Sequence, residues 1–338
     1  MLETLIELLN IPSPTGFAHK AIAATRKRLE GFKDLTLADT HKGGLVAEWP
    51  GAAADAPRAI TAHVDTLGAM VKEIKGNGRL KLSPIGGFAW NTVEGEGCTV
   101  FTQDGERVRG ALLLTMASGH VHAAKVNETK RDADNMEVRL DARSSSADET
   151  RELGIEVGDF VAFDPRVEVV DGFIRSRHLD DKAGVAAVLA AVKALTDAGA
   201  KPAQRTTLHI SNYEEVGHGA AAGFPDDLAE LLAVDMAAIG DGQASDEFHA
   251  TLCVKDSGGP YHKGFNDRLR ALAAEHEIAH KIDIYPYYGS DGEAYWRAGG
   301  DVAVALLGPG VDASHNYERT HIEAVMATAQ WVAAYLLS

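Results

Sequence analysis

The sequence predicts an α/β protein in which helices flank a mostly parallel sheet, and an antiparallel β domain is inserted into the chain. In residues 1–65 and 164–338, short apolar strands alternate with helical patterns, which is typical of a parallel sheet covered on both faces. In residues 66–163, short strands are separated by Gly, Asn and Asp turns such as Gly76-Asn77-Gly78. This second pattern is typical of hairpins, and we expect a barrel-like domain there.

The elements of the α/β part follow from periodicity and from chain-breaking residues. Apolar residues at helical spacing open the chain, and Pro12 and Pro14 end that first helix near Asn10. Further helices are predicted at 18–29, 182–195, 265–276 and 322–336, and strands at 43–49, 58–65, 206–212, 232–235 and 301–307. Inside the β stretch, residues 119–131 are predicted to be an irregular loop.

Composition argues against several classes of function. The 338 residues carry a formal net charge of −16, and so acidic a chain repels phosphate backbones, which argues against nucleic acid as a partner. No apolar run approaches the ~18 residues that a membrane span needs, and the acidic N-terminal segment does not match a signal peptide. Cys98 and Cys253 have no metal-binding spacing and fit a reducing compartment. We therefore expect a cytoplasmic protein.

The first candidate site residues flank predicted elements. His63 and Asp65 close a buried strand. His63 could be a nitrogen ligand whose other N–H is held by Asp65, or a core histidine with satisfied hydrogen bonds. Asp180 and Asp181 precede a helix. They could simply cap that helix and complement its dipole, or one of the two carboxylates could bridge two cations.

Three further predicted strands are followed by candidate ligands. Glu214 and Glu215 come after the first of these strands. They form either a solvated loop or a cation site, because buried carboxylates are costly unless they are paired or bound to metal. Asp235 ends the second strand, where Asp is also a common turn residue. His315 follows the third strand, and His321 is a rival to it as a ligand.

All of these residues stand at or near the end of a predicted strand, which is where α/β sheets bind ligands. Together they offer two nitrogen and three carboxylate ligands, and two ions ~3.5–4 Å apart would be the natural occupants. The mixed set suits zinc or cobalt, with manganese as a further candidate, and excludes thiolate chemistry. The sequence thus predicts a site for two divalent metal ions built from these strand-end residues.

The order of these motifs resembles that of the glutamyl or deblocking aminopeptidases, the TET family of dinuclear metallopeptidases that form tetrahedral particles. The resemblance covers essentially the whole chain and implies the fold of the dizinc aminopeptidases. It rests on Ala-His-Val-Asp at 62–65, Leu-Asp-Asp-Lys-Ala-Gly at 179–184, Glu-Glu-Val-Gly at 214–217, Val-Asp at 234–235, Ser-Asp-Gly at 290–292 and Ser-His-x-x-Glu at 314–318.

The resemblance implies a metal-dependent aminopeptidase that hydrolyses N-terminal residues from peptides with a water activated by two metals. Asp180 would bridge the metals, and Glu214 would be the general base. Asp65 would orient His63. A cis peptide bond is implied between Asp180 and Asp181.

The resemblance also implies how the remaining ligands divide and how chains associate. His63 and Asp235 would bind different metals, and so would Glu215 and His315. The inserted domain 66–163 would be a dimerisation domain. We therefore expect a homo-oligomer, from a dimer to a dodecamer.

Some features depart from the family pattern and leave alternatives open. Lys182 stands where Arg is usual, and the tail at 314–321 resembles a bacterial subgroup associated with a small-peptide osmolyte gene cassette. The chain could thus be an amidohydrolase or deacylase acting on small N-acyl peptides. A non-catalytic, metal-stabilised scaffold is a third possibility, although a scaffold has no need of Glu214. His120 and His122 could reach toward a neighbouring subunit or be solvated loop residues.

Overall fold

Nine α-helices are distributed along the chain in the computed structural model, which describes all 338 residues. They are α1 (Leu2–Leu9), α2 (His19–Leu29), α3 (Gly119–His122), α4 (Lys125–Glu128), α5 (Ala147–Arg151), α6 (Leu179–Asp197), α7 (Lys263–Glu275), α8 (Asp291–Arg297) and α9 (Ile322–Leu337). Side chains of Ser146, His262 and His321 accept backbone N–H groups at the starts of α5, α7 and α9, which satisfies donors that a helix leaves free at that end.

The strands form a large sheet, a closed barrel and a small three-stranded sheet. They are β1 (Thr36–Asp39), β2 (Leu45–Trp49), β3 (Ala53–His63), β4 (Gly68–Ile74), β5 (Leu80–Ile85), β6 (Gly97–Phe101), β7 (Arg107–Leu114), β8 (Met136–Leu140), β9 (Phe160–Phe163), β10 (Glu168–Val170), β11 (Phe173–Ser176), β12 (Gln204–Ser211), β13 (Glu230–Val234), β14 (Ala237–Ala238), β15 (Ala250–Asp256), β16 (Gly259–Pro260), β17 (His280–Ile284), β18 (Ala303–Val311) and β19 (Glu318–His321).

The chain divides into two compact units. One consists of Met1–Asp65 together with Arg166–Ser338, and the other is the continuous segment Thr66–Pro165. The large sheet and the three-stranded sheet belong to the first unit, and the barrel belongs to the second. The first unit is therefore interrupted in sequence by the second.

The large sheet is parallel at its centre, as the sequence predicts. Its strand order is β1-β2-β12-β3-β13-β18-β15-β16, and β17 pairs with β15. The four central strands β12, β3, β13 and β18 run parallel to one another. Antiparallel pairs lie toward both edges, between β2 and β12 and between β15 and β18, so the sheet is mixed, as large sheets often are.

Side chains along the central strands alternate between two apolar cores. In β3, Ile60 and Ala62 pack into a core that also contains apolar residues of α2, α6, α7 and α9. Ala59, which precedes Ile60, packs into a second core with side chains of β13 and of α8. Because successive side chains of a strand point to opposite faces, this division shows that helices cover both faces of the sheet.

The second unit is a closed antiparallel barrel, which confirms the predicted barrel-like domain. Its strand order is β4-β5-β8-β7-β6-β9, and β9 pairs back with β4. Buried apolar side chains such as Leu80, Leu112, Val138 and Val161 fill its interior. Closing the barrel removes the free strand edges that would otherwise promote association with other chains.

Residues 119–131 differ from the expected irregular loop, because they contain the short helices α3 and α4. The N–H groups of His122 and Ala123 donate to Ser118 O and Gly119 O, each at 2.9 Å. His120 and His122 both lie on α3, where His120 is exposed and His122 half-exposed. The segment had no apolar periodicity that would have indicated a helix, since a single turn is too short to show one.

None of the helices combines the length and the apolar character that crossing a membrane requires.

His209 is a buried histidine on β12 that is not part of any predicted site. Its Nδ1 lies 3.2 Å from Thr61 Oγ1, and its ring packs against Phe224. Burial, with a smaller contribution from the positive charge of Lys42, lowers the pKa of His209 from 6.5 to about 4. The folded protein therefore keeps this imidazole neutral at pH values where the unfolded chain protonates it.

We predict that His209 makes the fold sensitive to acid. Since its folded pKa lies below its unfolded pKa, the stabilisation is fully present above pH 6.5 and is lost as the pH falls toward 4. With EDTA present, the unfolding free energy of the wild type should fall by about 2 kcal/mol more between pH 7 and pH 5 than that of His209→Phe. Equilibrium urea denaturation measures this, and equal losses in the two proteins would contradict it.

Candidate metal centre

The ends of three neighbouring parallel strands bring together most of the predicted site residues. His63 is the last residue of β3, Glu214 and Glu215 follow β12, and Asp235 follows β13. In the sheet, β3 lies between β12 and β13, so the three strand ends adjoin one another. Ligand sites of α/β sheets form at this carboxyl edge.

Asp180, at the start of α6, lies between two histidines. Its Oδ1 is 3.2 Å from His63 Nε2, and its Oδ2 is 3.4 Å from His315 Nε2. Each carboxylate oxygen therefore faces a different imidazole. A carboxylate that bridges two ions must present its two oxygens in this divided way.

Six side chains form two groups with the spacing of metal ligands. Within each group, every residue offers a donor atom within 4.8 Å of the others. The first group is His63, Glu214 and Asp235, and the second is Asp180, Glu215 and His315. The structure thus gathers all five predicted ligands, together with the predicted base, into one place.

The grouping corrects one expectation about how the ligands divide. His63 Nε2 lies 3.9 Å from Asp235 Oδ1, so these two residues belong to the same group rather than to different ones. His315 Nε2 likewise lies 3.6 Å from Glu215 Oε2. The ligands divide in this way because β3 and β13 are paired in the sheet, which brings His63 and Asp235 together although they are far apart in sequence.

Asp65 holds His63 through its backbone and not chiefly through its carboxylate. His63 Nδ1 lies 2.9 Å from Asp65 O and 3.6 Å from Asp65 Oδ1. The Asp65 carboxylate instead accepts the Thr15 hydroxyl at 2.7 Å and the N–H groups of Glu214 and Glu215 at 3.3 and 3.4 Å. The predicted orienting residue therefore also fixes the loop that carries the two glutamates.

The peptide bond between Asp180 and Asp181 is cis, as the family resemblance implied. The Asp181 carboxylate is fully buried, belongs to neither ligand group and accepts hydrogen bonds from backbone donors. Its Oδ2 accepts His63 N at 3.3 Å, and its Oδ1 accepts Gly184 N at 3.2 Å. Asp181 thus connects the end of β3 to the first turn of α6.

Glu318 joins two of the candidate ligands through their backbones. Its Oε2 accepts Asp180 N at 3.1 Å, and its Oε1 accepts His315 N at 3.0 Å. Burial and the neighbouring Asp180 raise the pKa of Glu318 to about 8. The sequence contained Glu318 only as the last residue of a motif, and its contacts assign it a positioning role.

Asp291 holds the segment that carries Glu214 and Glu215. This buried residue begins α8, and its carboxylate accepts the Ser211 hydroxyl and, at 2.7 Å, the N–H of Ala220. Ser211 and Ala220 lie on either side of the two glutamates in sequence. Asp291 therefore holds the two ends of this loop, whereas Asp65 holds the glutamates in its middle. The Ser-Asp-Gly motif was the only sequence signal for Asp291.

Electrostatics at the site are dominated by burial and by mutual repulsion of the carboxylates. Burial alone would lower the pKa of His63, but the surrounding carboxylates, led by Glu214, raise it well above its usual value. Burial, followed by the charge of Asp180, raises the pKa of both Glu215 and Asp235. The protein's own groups therefore leave an excess of negative charge in this small volume.

Divalent metal ions fit this donor set. The two groups contain four carboxylates and only two imidazoles, so cations would remove the repulsion that raises the carboxylate pKa values. Nitrogen and oxygen donors without thiolate are the ligands of zinc, cobalt and manganese sites. The same atoms without a cation would leave buried like charges in contact, which is costly.

His321, the rival ligand, lies outside both groups. Its Nδ1 accepts Glu323 N at 3.3 Å at the start of α9, and its Nε2 is 3.3 Å from Asp171 O. Its ring packs edge-on against Phe173. Its contacts are therefore those of a helix cap, whereas His315 faces Asp180.

All members of the two ligand groups except His63 line a cavity of about 440 Å³. Its other walls include Met236, Tyr287, Tyr288, Ser290 and Arg297, none of which was predicted as a site residue. The Tyr288 hydroxyl donates to Met236 O at 2.8 Å. A signal for this wall was present, because Ser290-x-x-Glu293 has the spacing of a helix-capping box that would have located α8.

Comparison with known proteins places these motifs in one family. The family model described as M42 glutamyl aminopeptidase matches residues 43–331. The chain belongs to the M42 peptidase family. It is also 47% identical over 338 residues to YhfE of Bacillus subtilis, an aminopeptidase by name, and the match covers 100% of this chain and 97% of YhfE. Aminopeptidase activity is the function that these relatives support for this M42 peptidase.

Solved structures show the same fold. The aminopeptidase APDkam598 of Desulfurococcus kamchatkensis superposes with a TM-score of 0.88 at 22% identity, covering 99% of this chain and 93% of that one. The TET1 peptidase of Pyrococcus horikoshii superposes with a TM-score of 0.85 at 21% identity, covering 100% and 99%. That peptidase can assemble into a tetrahedron or a large octahedral shell.

We predict that His315→Ala in this M42 peptidase loses bound metal and activity, because His315 supplies the only imidazole of its ligand group. His321→Ala is the matched control, and it should keep the metal while lowering the melting temperature through the lost helix cap. Elemental analysis of the dialysed proteins measures the metal content. Loss of metal from the His321 variant alone would reverse the assignment.

Proposed function

We propose that this M42 peptidase is a two-metal aminopeptidase that releases the N-terminal residue of peptides. The observation that supports it most is the position of Asp180, whose two carboxylate oxygens face one histidine of each ligand group, His63 and His315. One isolated metal group could serve structure alone. Two groups sharing a carboxylate are typical of hydrolytic sites in which metal ions act together.

The proposed ligands divide between the two ions by proximity. His63 and Asp235 would hold one ion, Glu215 and His315 the other, and Asp180 both. The donor set suits zinc or cobalt, with manganese as a further candidate. Asp65, Asp181 and Glu318 hold four of the five proposed ligands from outside, in the manner of residues that orient ligands without binding the ion. The four are His63, Asp180, Glu215 and His315.

Glu214 is the proposed general base. When bound, the two ions would supply Lewis acidity that makes water more acidic and polarises the scissile carbonyl. Glu214 Oε2 lies 3.6 Å from His63 Nε2, and the Glu214 carboxylate lines the cavity where substrate would lie. Glu214 would accept the proton of the attacking water and then donate it to the leaving amine. Asp65 holds the Glu214 backbone in place for this task.

The form of the cavity favours the end of a peptide over its middle. Its volume of about 440 Å³ is that of a pocket for a small ligand. Carboxylates on its wall favour a substrate that carries a positive charge, as a free α-amino group does. An internal peptide segment has no such charge and would need an open groove.

A substrate panel separates this proposal from its two alternatives. The protein is loaded with cobalt or zinc and given aminoacyl-p-nitroanilides and N-acetylated dipeptides. Cleavage of the p-nitroanilides supports the aminopeptidase, and cleavage of only the acetylated compounds would identify a deacylase. Cleavage of neither set, with metal bound, would identify a scaffold without turnover.

We predict that Glu214→Gln lowers kcat by about 10²–10⁴-fold, which is the usual contribution of a positioned acid–base group. Both metals should stay bound, because all five proposed ligands remain. The matched control is Glu275→Gln, at the exposed end of α7, which should match the wild type. Steady-state kinetics measure kcat, and elemental analysis measures the metal content. A Glu214→Gln variant that keeps its activity would show that this residue is not the base.

We infer in addition that the chain forms a homo-oligomer through the barrel unit. All five proposed ligands and Glu214 lie outside Thr66–Pro165, so this unit is not needed to supply ligands. Symmetric homo-oligomers are the commonest assemblies of soluble proteins. The tetrahedral assembly of Pyrococcus horikoshii TET1 supports the same arrangement here.

We predict a homodimer at least, and a dodecamer when both metals are bound. Light scattering of metal-loaded and chelated protein measures the mass of the assembly in each state. A monomer under both conditions would refute the prediction. A variant that lacks residues 66–163 and still assembles would assign the contacts to another surface.

A further inference from the structure

Glu214, the proposed base, lies on a single turn of 3₁₀ helix, Glu214–Val216, between two residues in the left-handed conformation. Tyr213, just before the turn, has a φ of 79°, and Gly217, just after it, has a φ of 85°. Glycine adopts such a backbone freely, whereas a tyrosine adopts it only where its surroundings hold it there. The position of Glu214 therefore depends on the contacts that hold Tyr213.

The chain after this turn folds back onto Tyr213. His218 N donates to Tyr213 O at 3.1 Å, and the two rings stack with their centroids 5.3 Å apart. We call residues 213–219 the base loop, because they carry Glu214 between two ends that meet. A group that binds both ends of the base loop also fixes the turn between them.

Lys42 is such a group. It lies in the turn between β1 and β2, and its side chain is half-buried. The ammonium group donates to His218 O and, at 3.0 Å, to Gly219 O, and Nζ lies over the Tyr213 ring, 5.7 Å from its centroid. A lysine has three N–H donors and is attracted to aromatic faces. Lys42 thus contacts the first residue and the last two residues of the base loop.

Two buried acids, Asp65 and Asp291, hold the same segment through different atoms. Asp65 accepts N–H groups inside the base loop, and Asp291 accepts the N–H of Ala220, just after it. Burial lowers the pKa of Lys42, and the negative charges of Asp291 and Asp65 act in the opposite direction. The acids bind N–H groups and Lys42 binds carbonyl groups, so the three residues hold the segment in complementary ways.

The turn that carries Lys42 is itself attached to the end of β12. Asn212 Nδ2 donates to Lys42 O at 3.3 Å, and Asn212 Oδ1 accepts Gly16 N at 3.2 Å. An added Cβ at Gly44 would come within 2.9 Å of Ile210 O, so the turn packs closely on that strand. The Lys42 side chain therefore extends from a backbone that is fixed independently of the base loop.

We propose that Lys42 is a positioning residue, which holds the base loop so that the Glu214 carboxylate stays in place to act as the base. This rests on the proposed role of Glu214. Lys42 is outside both ligand groups and does not line the cavity. Glu215 keeps its hydrogen bond to Asp65 and its contact with His315 without Lys42, so the site should still bind metal when the lysine is replaced.

A double-mutant cycle separates the positioning of Glu214 from a general effect on the fold. Lys42→Met is made in the wild type and in Glu214→Gln, and kcat and KM are measured for each metal-loaded protein with the aminoacyl-p-nitroanilide that the wild type cleaves fastest. The matched control is Lys263→Met, which removes an exposed lysine that pairs with Asp267 in the same unit. Metal content, the visible spectrum of the cobalt-loaded protein and the melting temperature are recorded for every variant.

We expect Lys42→Met to lower kcat about tenfold in the wild type, with KM changed less than about twofold, because a displaced base loses much of its effect. In Glu214→Gln, the same substitution should lower kcat less than about twofold, because the group that Lys42 positions is already absent. Lys42→Arg keeps donors for the two carbonyl groups and should recover part of kcat. Lys263→Met should match the wild type, and metal content and cobalt spectrum should be unchanged in all variants.

Two results would overturn the proposal. One is that Lys42→Met changes kcat by the same factor in the wild type and in Glu214→Gln. The other is loss of metal from Lys42→Met, which would assign its effect to a ligand. Lys42→Gln is taken through the same cycle, so that the test does not depend on the folding of one variant. Failure of the proposed function is a different result, in which the metal-loaded wild type cleaves no aminoacyl-p-nitroanilide or Glu214→Gln is as active as the wild type.

Discussion

Four carboxylates and two imidazoles crowd into one small volume at the ends of β3, β12 and β13, and the free energy of keeping those carboxylates ionised governs the site. An uncompensated buried charge costs several kcal/mol. The two imidazoles cannot neutralise four carboxylates. Burial, followed by the charge of Asp180, raises the pKa of both Glu215 and Asp235. Divalent cations would neutralise the excess negative charge, so metal binding and stability of the fold are expected to be coupled.

A second set of buried acids keeps the first set in place. Asp65, Asp181, Asp291 and Glu318 lie outside the two ligand groups, yet each accepts backbone N–H groups from a segment that carries a ligand or the proposed base. Hydrogen bonds from backbone amides satisfy these carboxylates. The geometry of the site is therefore fixed by side chain to backbone contacts that join β3, α6 and the loop after β12.

The elements that a sequence pattern could predict are the ones with long buried, mostly apolar runs. The second half of β3, nearly all of β13 and most of α6 are buried. The first residues of β3 are exposed, and the predicted strand 58–65 lacked them. β10 is exposed throughout, and β17 alternates irregularly, so neither has a hydrophobic period to detect. α8 has only seven residues, which is too short for a helical period, although its capping signature was present.

The sequence showed which candidate site residues stand at strand ends, but not which of them are neighbours in the fold. A strand-end His or Asp is visible in the sequence, whereas the order of strands in the sheet is not, and it is the position of β3 between β12 and β13 that sets His63 beside Asp235. The same limit applies to Arg297. A sequence shows a lone arginine at the end of a short helix, and only the folded chain brings it onto the wall of the cavity that holds the ligand groups. Which side chains form the wall of a cavity thus depends on tertiary position, which a sequence pattern does not contain.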